Sequence, residues 1–169
     1  MGGVREREVV TVRTARRDDE RRLAALDRVT WSPAVAPAPP WPEDVDFFEK
    51  DPPEDVLVAE LDGAVVGYVK LRRPTALPSH RHVLQVNGLA VDPAVQRRGV
   101  GRALLVAAVE EARQRGARRL TLNVLATNPG ARTLYADCGF VVEGVRRGEF
   151  FLEGRYVDDV LMAVSLEPA

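Results

Sequence analysis

Apolar and polar positions follow two periods along this chain. Continuous or alternating apolar runs predict strands, and apolar stripes at positions i, i+3 and i+4 predict helices. Strands are predicted at residues 9–13, 56–61, 64–71, 83–91, 119–124, 140–145 and 156–165. Helices are predicted at residues 18–29, 43–50, 99–115 and 128–138.

Turn residues separate these elements. Asp62-Gly63 between two β-rich runs is a strong hairpin signal. Asn128 before Pro129 is typical of a helix start, and Gly139 of a helix end. The order predicts an α/β (α+β) fold: a mixed, mostly antiparallel central sheet of six to seven strands, flanked by about four helices. We expect one domain over residues 1–169, with residues 1–8 as a flexible N-terminus.

Two segments allow alternatives. Residues 32–42 contain five prolines and cannot form a helix interior. They are either a stiff surface loop or a proline-rich ligand for an aromatic-lined partner. Asn87-Gly88, inside a predicted strand, is either a β-bulge or a turn.

Composition narrows the class of protein. The 169 residues carry 24 Lys and Arg against 25 Asp and Glu, and 46% are hydrophobic. This balance argues against disorder and against a nucleic-acid binder, which normally shows a basic excess. The single cysteine excludes an intrachain disulfide, and no apolar run is long enough to span a membrane. We therefore expect a cytoplasmic protein.

The most informative segment is residues 89–103, where a predicted strand leads through a turn into a helix. The first amides of a helix have no internal partner and lie at the positive end of its dipole. Gly99 and Gly101 would let a phosphate approach these amides, with arginines nearby. The P-loop pattern is absent, and Leu104 stands where a Rossmann fingerprint has its third glycine. The segment predicts an anion site, with simple helix capping as the alternative.

Two linked motifs carry a resemblance to a known family. Gln96-x-x-Gly99-x-Gly101, after a Leu-Ala-Val-Asp-Pro strand end, resembles the acyl-CoA motif of the GNAT N-acetyltransferase superfamily. The downstream pattern Asn128-x-x-Ala131-x-x-Leu134-Tyr135-x-x-x-Gly139-Phe140 resembles that family's second element at the expected separation. The resemblance covers nearly the whole chain and is sharpest over residues 89–140.

The resemblance implies acetyl-CoA as acyl donor, bound where strands 83–91 and 119–124 diverge. On this basis the backbone of Leu89, Ala90 and Val91 aligns the pantetheine arm. Asn128 contacts the pantetheine, and Arg132 approaches the phosphate end of the cofactor. The amides of Arg97, Arg98, Gly99, Val100, Gly101, Arg102 and Ala103 hold the pyrophosphate, and Gln96 is a further cofactor-binding residue.

The implied reaction is direct attack of an amine on the acetyl thioester. A backbone amide near Leu89 or Ala90 would stabilise the oxyanion, and Tyr135 would protonate the leaving thiolate. Core packing is the alternative role for Tyr135. Cys138 is expected to be a small core residue, although a nucleophilic role is conceivable.

The general base is not evident. The family often places a glutamate in the strand before the motif, but this strand offers only Gln85 and Asn87. The alternatives are a chain of water molecules, a carboxylate from another strand such as Glu149 or Asp158, and the histidines just before the strand, His80 and His82. The histidine pair lacks further ligands at credible spacing, so no metal is expected.

The acceptor site is expected between the 32–42 loop and the last two strands. Aromatic residues beside acidic ones would suit a cationic amine, although these aromatics could equally anchor the loop. The candidate acceptor-contacting residues are Trp31, Trp41, Phe47, Gln85, Asn87, Glu149 and Tyr156.

A non-catalytic acyl-CoA sensor and a partner-binding protein acting through residues 32–42 are the alternative functions. A homodimer is expected only by analogy with the family.

Overall fold

Seven strands form one continuous sheet in the computed structural model, which describes residues 9–167. The strands are β1 (Thr11–Thr14), β2 (Val56–Leu61), β3 (Ala64–Arg72), β4 (Val83–Val91), β5 (Arg119–Leu125), β6 (Val141–Leu152) and β7 (Arg155–Ser165). Within the described residues the α-helices are α1 (Glu20–Thr30), α2 (Val100–Gln114) and α3 (Pro129–Asp137).

The sheet is mixed and mostly antiparallel, as the sequence predicts. The strand order is β1-β2-β3-β4-β5-β7-β6, and β4–β5 is the parallel pair. The tight turn between β2 and β3 uses Asp62 and Gly63, whose φ angles are 51° and 78°. Positive φ at both positions is the type I′ geometry that Asp-Gly favours, so the predicted hairpin is confirmed.

Each face of the sheet has its own apolar core. On one face α2 and α3 pack against the sheet, with Leu104, Leu105 and Leu122 almost fully buried. On the other face α1 packs against β3 and β4, with Leu23 and Leu26 buried. Burying one such leucine contributes about 1.5–3 kcal/mol. The second core covers only the β1–β4 side and leaves the β5–β7–β6 side of that face open.

Two predictions of secondary structure are wrong. Residues 43–50 form consecutive turns, not a helix, so residues 9–167 contain three α-helices in place of the four expected. The side chain of Asp46 accepts a hydrogen bond from Phe48 N at 2.7 Å, and this local turn competes with helical hydrogen bonding. The sixth strand runs to Leu152 and not to residue 145. It is a sheet edge with mostly exposed side chains, so it lacks the apolar alternation that marks a strand.

Residues 32–42 form a loop that crosses to the β5–α3 connection. Trp31 Nε1 donates a hydrogen bond to Ala38 O at 2.7 Å, and Thr127 Oγ1 donates one to Ala34 O at 2.8 Å. The loop is therefore held at the carboxyl end of β5. The expected flexibility of residues 1–8 lies outside the described residues.

Candidate active site

Strands β4 and β5 pair over only half of their length. Their parallel ladder runs from Val83–Arg119 to Val86–Leu122. At that point two residues of β4, Asn87 and Gly88, lie opposite the single residue Lys70 of β3. This is a β-bulge, so the bulge alternative is confirmed over the turn.

Beyond the bulge, β4 continues beside β3 only. Leu89 pairs with Val69, Ala90 with Tyr68 and Val91 with Gly67. The opposite edge of residues 87–91 therefore presents backbone donors and acceptors to the gap between β4 and β5. An extended molecule that hydrogen-bonds like a strand fits such an edge.

The turn after β4 forms a cradle of backbone amides. Asp92 caps the turn by accepting a hydrogen bond from Ala94 N at 2.9 Å. Arg97 and Gly99 have φ angles of 67° and 83°, which reverse the chain before α2 begins. The first intrahelical bond runs from Ala103 N to Gly99 O at 3.0 Å. The amides of residues 100–102 precede it and lie at the positive end of the helix.

The side chains around this cradle divide into two groups. Val100 is buried in the core, so only its backbone can contact a ligand. The side chains of Gln96, Arg97, Arg98 and Arg102 are exposed. Exposed arginines beside helix-terminal amides are suited to a phosphate group.

Gly101 has a packing role. A Cβ at this position would lie 2.9 Å from Leu134 Cδ2, on α3. Gly99, by contrast, has open space where its Cβ would be. The glycine pair therefore combines a left-handed turn residue with a close contact between α2 and α3.

Helix α3 begins at the mouth of the gap. Asn128 Oδ1 accepts a hydrogen bond from Ala131 N at 3.2 Å, which confirms the predicted N-cap. With Oδ1 occupied, the amide Nδ2 is the group with which Asn128 can donate to a ligand. Arg132 is half-buried one turn further along α3.

Tyr135 is buried, with its ring 6.0 Å from that of Phe140. Burial raises the pKa of Tyr135 to about 12, so its hydroxyl keeps a proton at neutral pH. Cys138 caps the C-terminus of α3, and burial raises the pKa of its thiol as well. A protonated thiol is a poor nucleophile, which favours the structural role for Cys138.

The open face of β4, β5 and β7 carries a shallow cavity of about 370 Å³. The residues that line it include Gln85, Thr121, Asn123, Leu161 and His80. Since Asn123 directly follows the last β4–β5 pair, the cavity reaches the start of the gap.

A buried carboxylate contacts Asn123, one of the residues that line this cavity. Asp159 on β7 is only 3% exposed, and its Oδ2 accepts a hydrogen bond from Asn123 Nδ2 at 2.8 Å. Arg146 Nη1 lies 3.6 Å from the same oxygen, and Glu149 lies 3.8 Å from Arg146. Burial raises the pKa of Asp159, which Asn123 and Arg146 lower and Glu149 raises.

Asp158 differs from its neighbour. Its carboxylate accepts hydrogen bonds from Gly148 N at 2.8 Å and from Arg147 Nη1 at 2.9 Å. These contacts lower the pKa of Asp158. Asp158 is therefore held in the β6–β7 hairpin by these hydrogen bonds. In the sequence, only strand alternation distinguishes Asp158 from Asp159, because it places the two side chains on opposite faces of the sheet.

The aromatic residues of the 32–50 region surround a cation of the protein itself. Lys70 Nζ lies 4.1 Å from the ring centroid of Phe47 and 4.6 Å from that of Trp41, and forms an ion pair with Asp51 at 3.0 Å. Phe47 is 0% exposed. Trp41 and Phe47 therefore anchor the loop to β3. No local pattern in the sequence marks Lys70 as their partner.

The remaining candidate residues, Tyr156, His80 and His82, lie at the edge of the site or outside it. Tyr156 is 76% exposed at the β6–β7 hairpin, with its ring 5.1 Å from that of Phe151. His80 has a buried Nδ1 without a hydrogen-bond partner in residues 9–167, and His82 lines a separate depression with Arg118 and Arg119.

Neither a metal centre nor a membrane span is found in the described part of the chain. Residues 9–167 contain no group of three His, Cys, Asp or Glu side chains placed to hold a metal ion. None of the helices in that range is both long and apolar enough to cross a bilayer.

A sheet that opens beside a helix-terminal amide cradle is the arrangement that the resemblance to the GNAT superfamily implies for an acyl-CoA-dependent acyltransferase. The comparisons with known proteins agree. Residues 21–140 match the family model described as "Acetyltransferase (GNAT) family". The chain therefore belongs to the GNAT acetyltransferase family.

Two relatives and one solved structure illustrate the similarity. The chain is 32% identical to a phosphinothricin N-acetyltransferase of Alcaligenes faecalis, over 68% of this chain and 66% of that protein. It is 32% identical to the N-alpha-acetyltransferase RimI of Mycobacterium tuberculosis, over 87% and 88%. The structure of yncA from Salmonella typhimurium, solved with its cofactor acetyl-CoA, has the same fold, with a TM-score of 0.80, 22% identity and coverage of 95% and 96%.

Proposed function

We propose that the protein transfers an acetyl group from acetyl-CoA to a primary amine. The observation that carries this proposal is the bulge at Asn87–Gly88, because it opens the β4–β5 gap directly beside the amide cradle. The family to which the chain belongs uses this reaction class, and the yncA structure contains the same donor.

In this proposal the pantetheine arm hydrogen-bonds along residues 89–91, and the pyrophosphate lies on the amides of residues 97–103. Asn128 donates to the pantetheine through Nδ2. The thioester carbonyl lies against a β4 amide near Leu89, which stabilises the oxyanion. Tyr135 gives a proton to the leaving thiolate.

We propose that the acceptor enters from the open face, over Gln85, Thr121 and Asn123. Asp159 contacts Asn123 and Glu149 lies beside Arg146, two residues that line this entrance, and the two carboxylates favour a cationic amine. One relative acts on phosphinothricin and another is an N-alpha-acetyltransferase. The acceptor is therefore proposed to be the α-amine of a small molecule or of a peptide N-terminus. A homodimer and a cytoplasmic location stay predictions.

The test has two stages. Acetyl-CoA should raise the melting temperature in a thermal-shift titration, because a ligand that binds the folded state stabilises it by mass action. Free thiol should then be released with phosphinothricin, alanine amide or a peptide with N-terminal alanine, and mass spectrometry should show the acetylated product. Absence of both stabilisation and thiol release would overturn the proposal.

A further inference from the structure

We propose that Asp159 is the base that removes the proton from the acceptor's ammonium group. This inference rests on the acetyl transfer proposed above. It supplies the group that Gln85 and Asn87 cannot provide, because a side-chain amide does not accept a proton at neutral pH.

The position of Asp159 follows from the strand register. Asp159 lies opposite Leu125 on β5 and opposite Arg146 on β6. The β4–β5 ladder ends at Leu122, three residues before Leu125. At about 3.3 Å per residue, Asp159 is therefore roughly 10 Å along the sheet from the opening of the gap. The side chain of Asn123 spans part of this distance.

The side-chain orientation places the carboxylate on the acceptor face. Val160 and Met162 pack into the core beneath α2, so Asp159 and Leu161 belong to the opposite, open face. Leu161 and Asn123 line the cavity on that face. The Asn123 hydrogen bond occupies Oδ2 of Asp159, and within residues 9–167 no hydrogen bond reaches Oδ1. Oδ1 is the atom that would accept the proton.

The surroundings suit a base. Arg146 and Glu149, both on β6, are the charged groups acting on Asp159, and Asn123 is the polar contact from β5. Asn123 and Arg146 lower the pKa of Asp159 and Glu149 raises it, but burial has the largest effect. Burial raises the pKa above that of an exposed aspartate. A base works best when its pKa approaches the working pH.

The proton balance is simple. The ammonium gives one proton to Asp159, and the neutral amine attacks the thioester carbon. The new C–N bond forms, the C–S bond breaks, and the thiolate takes the proton of Tyr135. The second nitrogen proton returns to Tyr135, and Asp159 releases its proton to water.

The first test is Asp159→Asn with two nucleophiles. Hydroxylamine is already uncharged at neutral pH and needs no base before attack, whereas alanine amide carries a proton. We expect the variant to lose about 10²–10⁴-fold in kcat/KM for alanine amide or the alanine peptide, and far less for hydroxylamine. The stabilisation by acetyl-CoA should be unchanged.

A second test leaves the core intact and uses the exposed residues on β6. Arg146→Gln removes a charge that lowers the pKa of Asp159, so the acidic limb of kcat/KM should move to higher pH. Glu149→Gln removes a charge that raises this pKa, so the limb should move to lower pH. Asp158→Asn is the control, and the limb should stay at its wild-type position.

The results of these experiments test the role of Asp159 separately from the proposed acetyl transfer. Equal losses with hydroxylamine and alanine amide, or near-wild-type activity of Asp159→Asn, would overturn the role of Asp159 while leaving acetyl transfer in place. If Asp159→Asn does not fold, limb shifts of the same sign in Arg146→Gln and Glu149→Gln, or no shift in either, would overturn it. A wild-type protein inactive with every nucleophile would instead overturn the proposed function.

Discussion

At the scale of single residues, the structure gives the aromatic cluster a different partner from the one the sequence suggests. Trp41 and Phe47 beside acidic residues predict a bound cation. The structure places the ammonium of Lys70 there, paired with Asp51 and buried. The sequence could not show this, because Lys70 lies in an apolar strand where alternation alone does not reveal a buried charge.

The Lys70–Asp51 pair leads to a prediction of stability. Lys70→Met leaves the buried carboxylate of Asp51 without its partner, which costs about 3–5 kcal/mol. The melting temperature should fall by roughly 10 °C. The double variant Lys70→Met/Asp51→Leu should recover most of the loss, since no unpaired charge remains. A single variant as stable as the wild type would show that the pair is not buried in solution.

Tyr135 gives a second prediction at this scale. Tyr135→Phe keeps the ring and removes the hydroxyl, so kcat should fall by about 10²-fold or more while acetyl-CoA still raises the melting temperature. Because the pKa of Tyr135 is raised to about 12, the wild-type rate should show no loss from Tyr135 ionisation up to at least pH 10. Unchanged kcat in the variant would leave the tyrosine with a packing role only.

At the scale of elements, the accuracy with which the sequence predicts the bounds of a strand or helix depends on how that element is buried. The bounds of β2 and β4 are predicted to the residue, because apolar runs end at clear turn signals. The edge strand β6 is predicted too short, because neither of its faces is buried. The segment 43–50 is predicted as a helix, because two buried phenylalanines resemble an apolar stripe.

The same limit applies to the site. The phosphate cradle is visible in the sequence because its glycines and arginines are contiguous, at residues 96–103. The Asn123–Asp159 pair is 36 residues apart and meets only through the β5–β7 register. Local patterns contain no information on such a contact.

The start of α2 gives a prediction about the cofactor. Arg97→Gln removes an exposed charge from the cradle and should weaken acetyl-CoA binding by about tenfold, the effect of one charged hydrogen bond. Arg113→Gln, near the end of the same helix, makes the same change in net charge and should leave the affinity unchanged. Isothermal titration with acetyl-CoA measures both. Equal affinities of the two variants would contradict the cradle.

At the scale of the whole molecule, residues 93–119 contain seven arginines against two acids, and ion pairs neutralise part of this positive charge. Four of these arginines are paired with acids: Arg113 with Glu110, Arg115 with Asp55 and Glu111, Arg118 with Glu167, and Arg119 with Glu143. All four lie between the last turn of α2 and the first residue of β5, away from the cradle. Because acids offset these four charges, they add little positive potential at the cradle.

Hydrogen exchange, followed by mass spectrometry with and without acetyl-CoA, tests the central claim most directly. The account predicts that acetyl-CoA slows exchange in peptides covering residues 87–91 and 97–103. Exchange in the edge strand β6 should not change. Slowed exchange at β6, with residues 87–103 unaffected, would contradict the account.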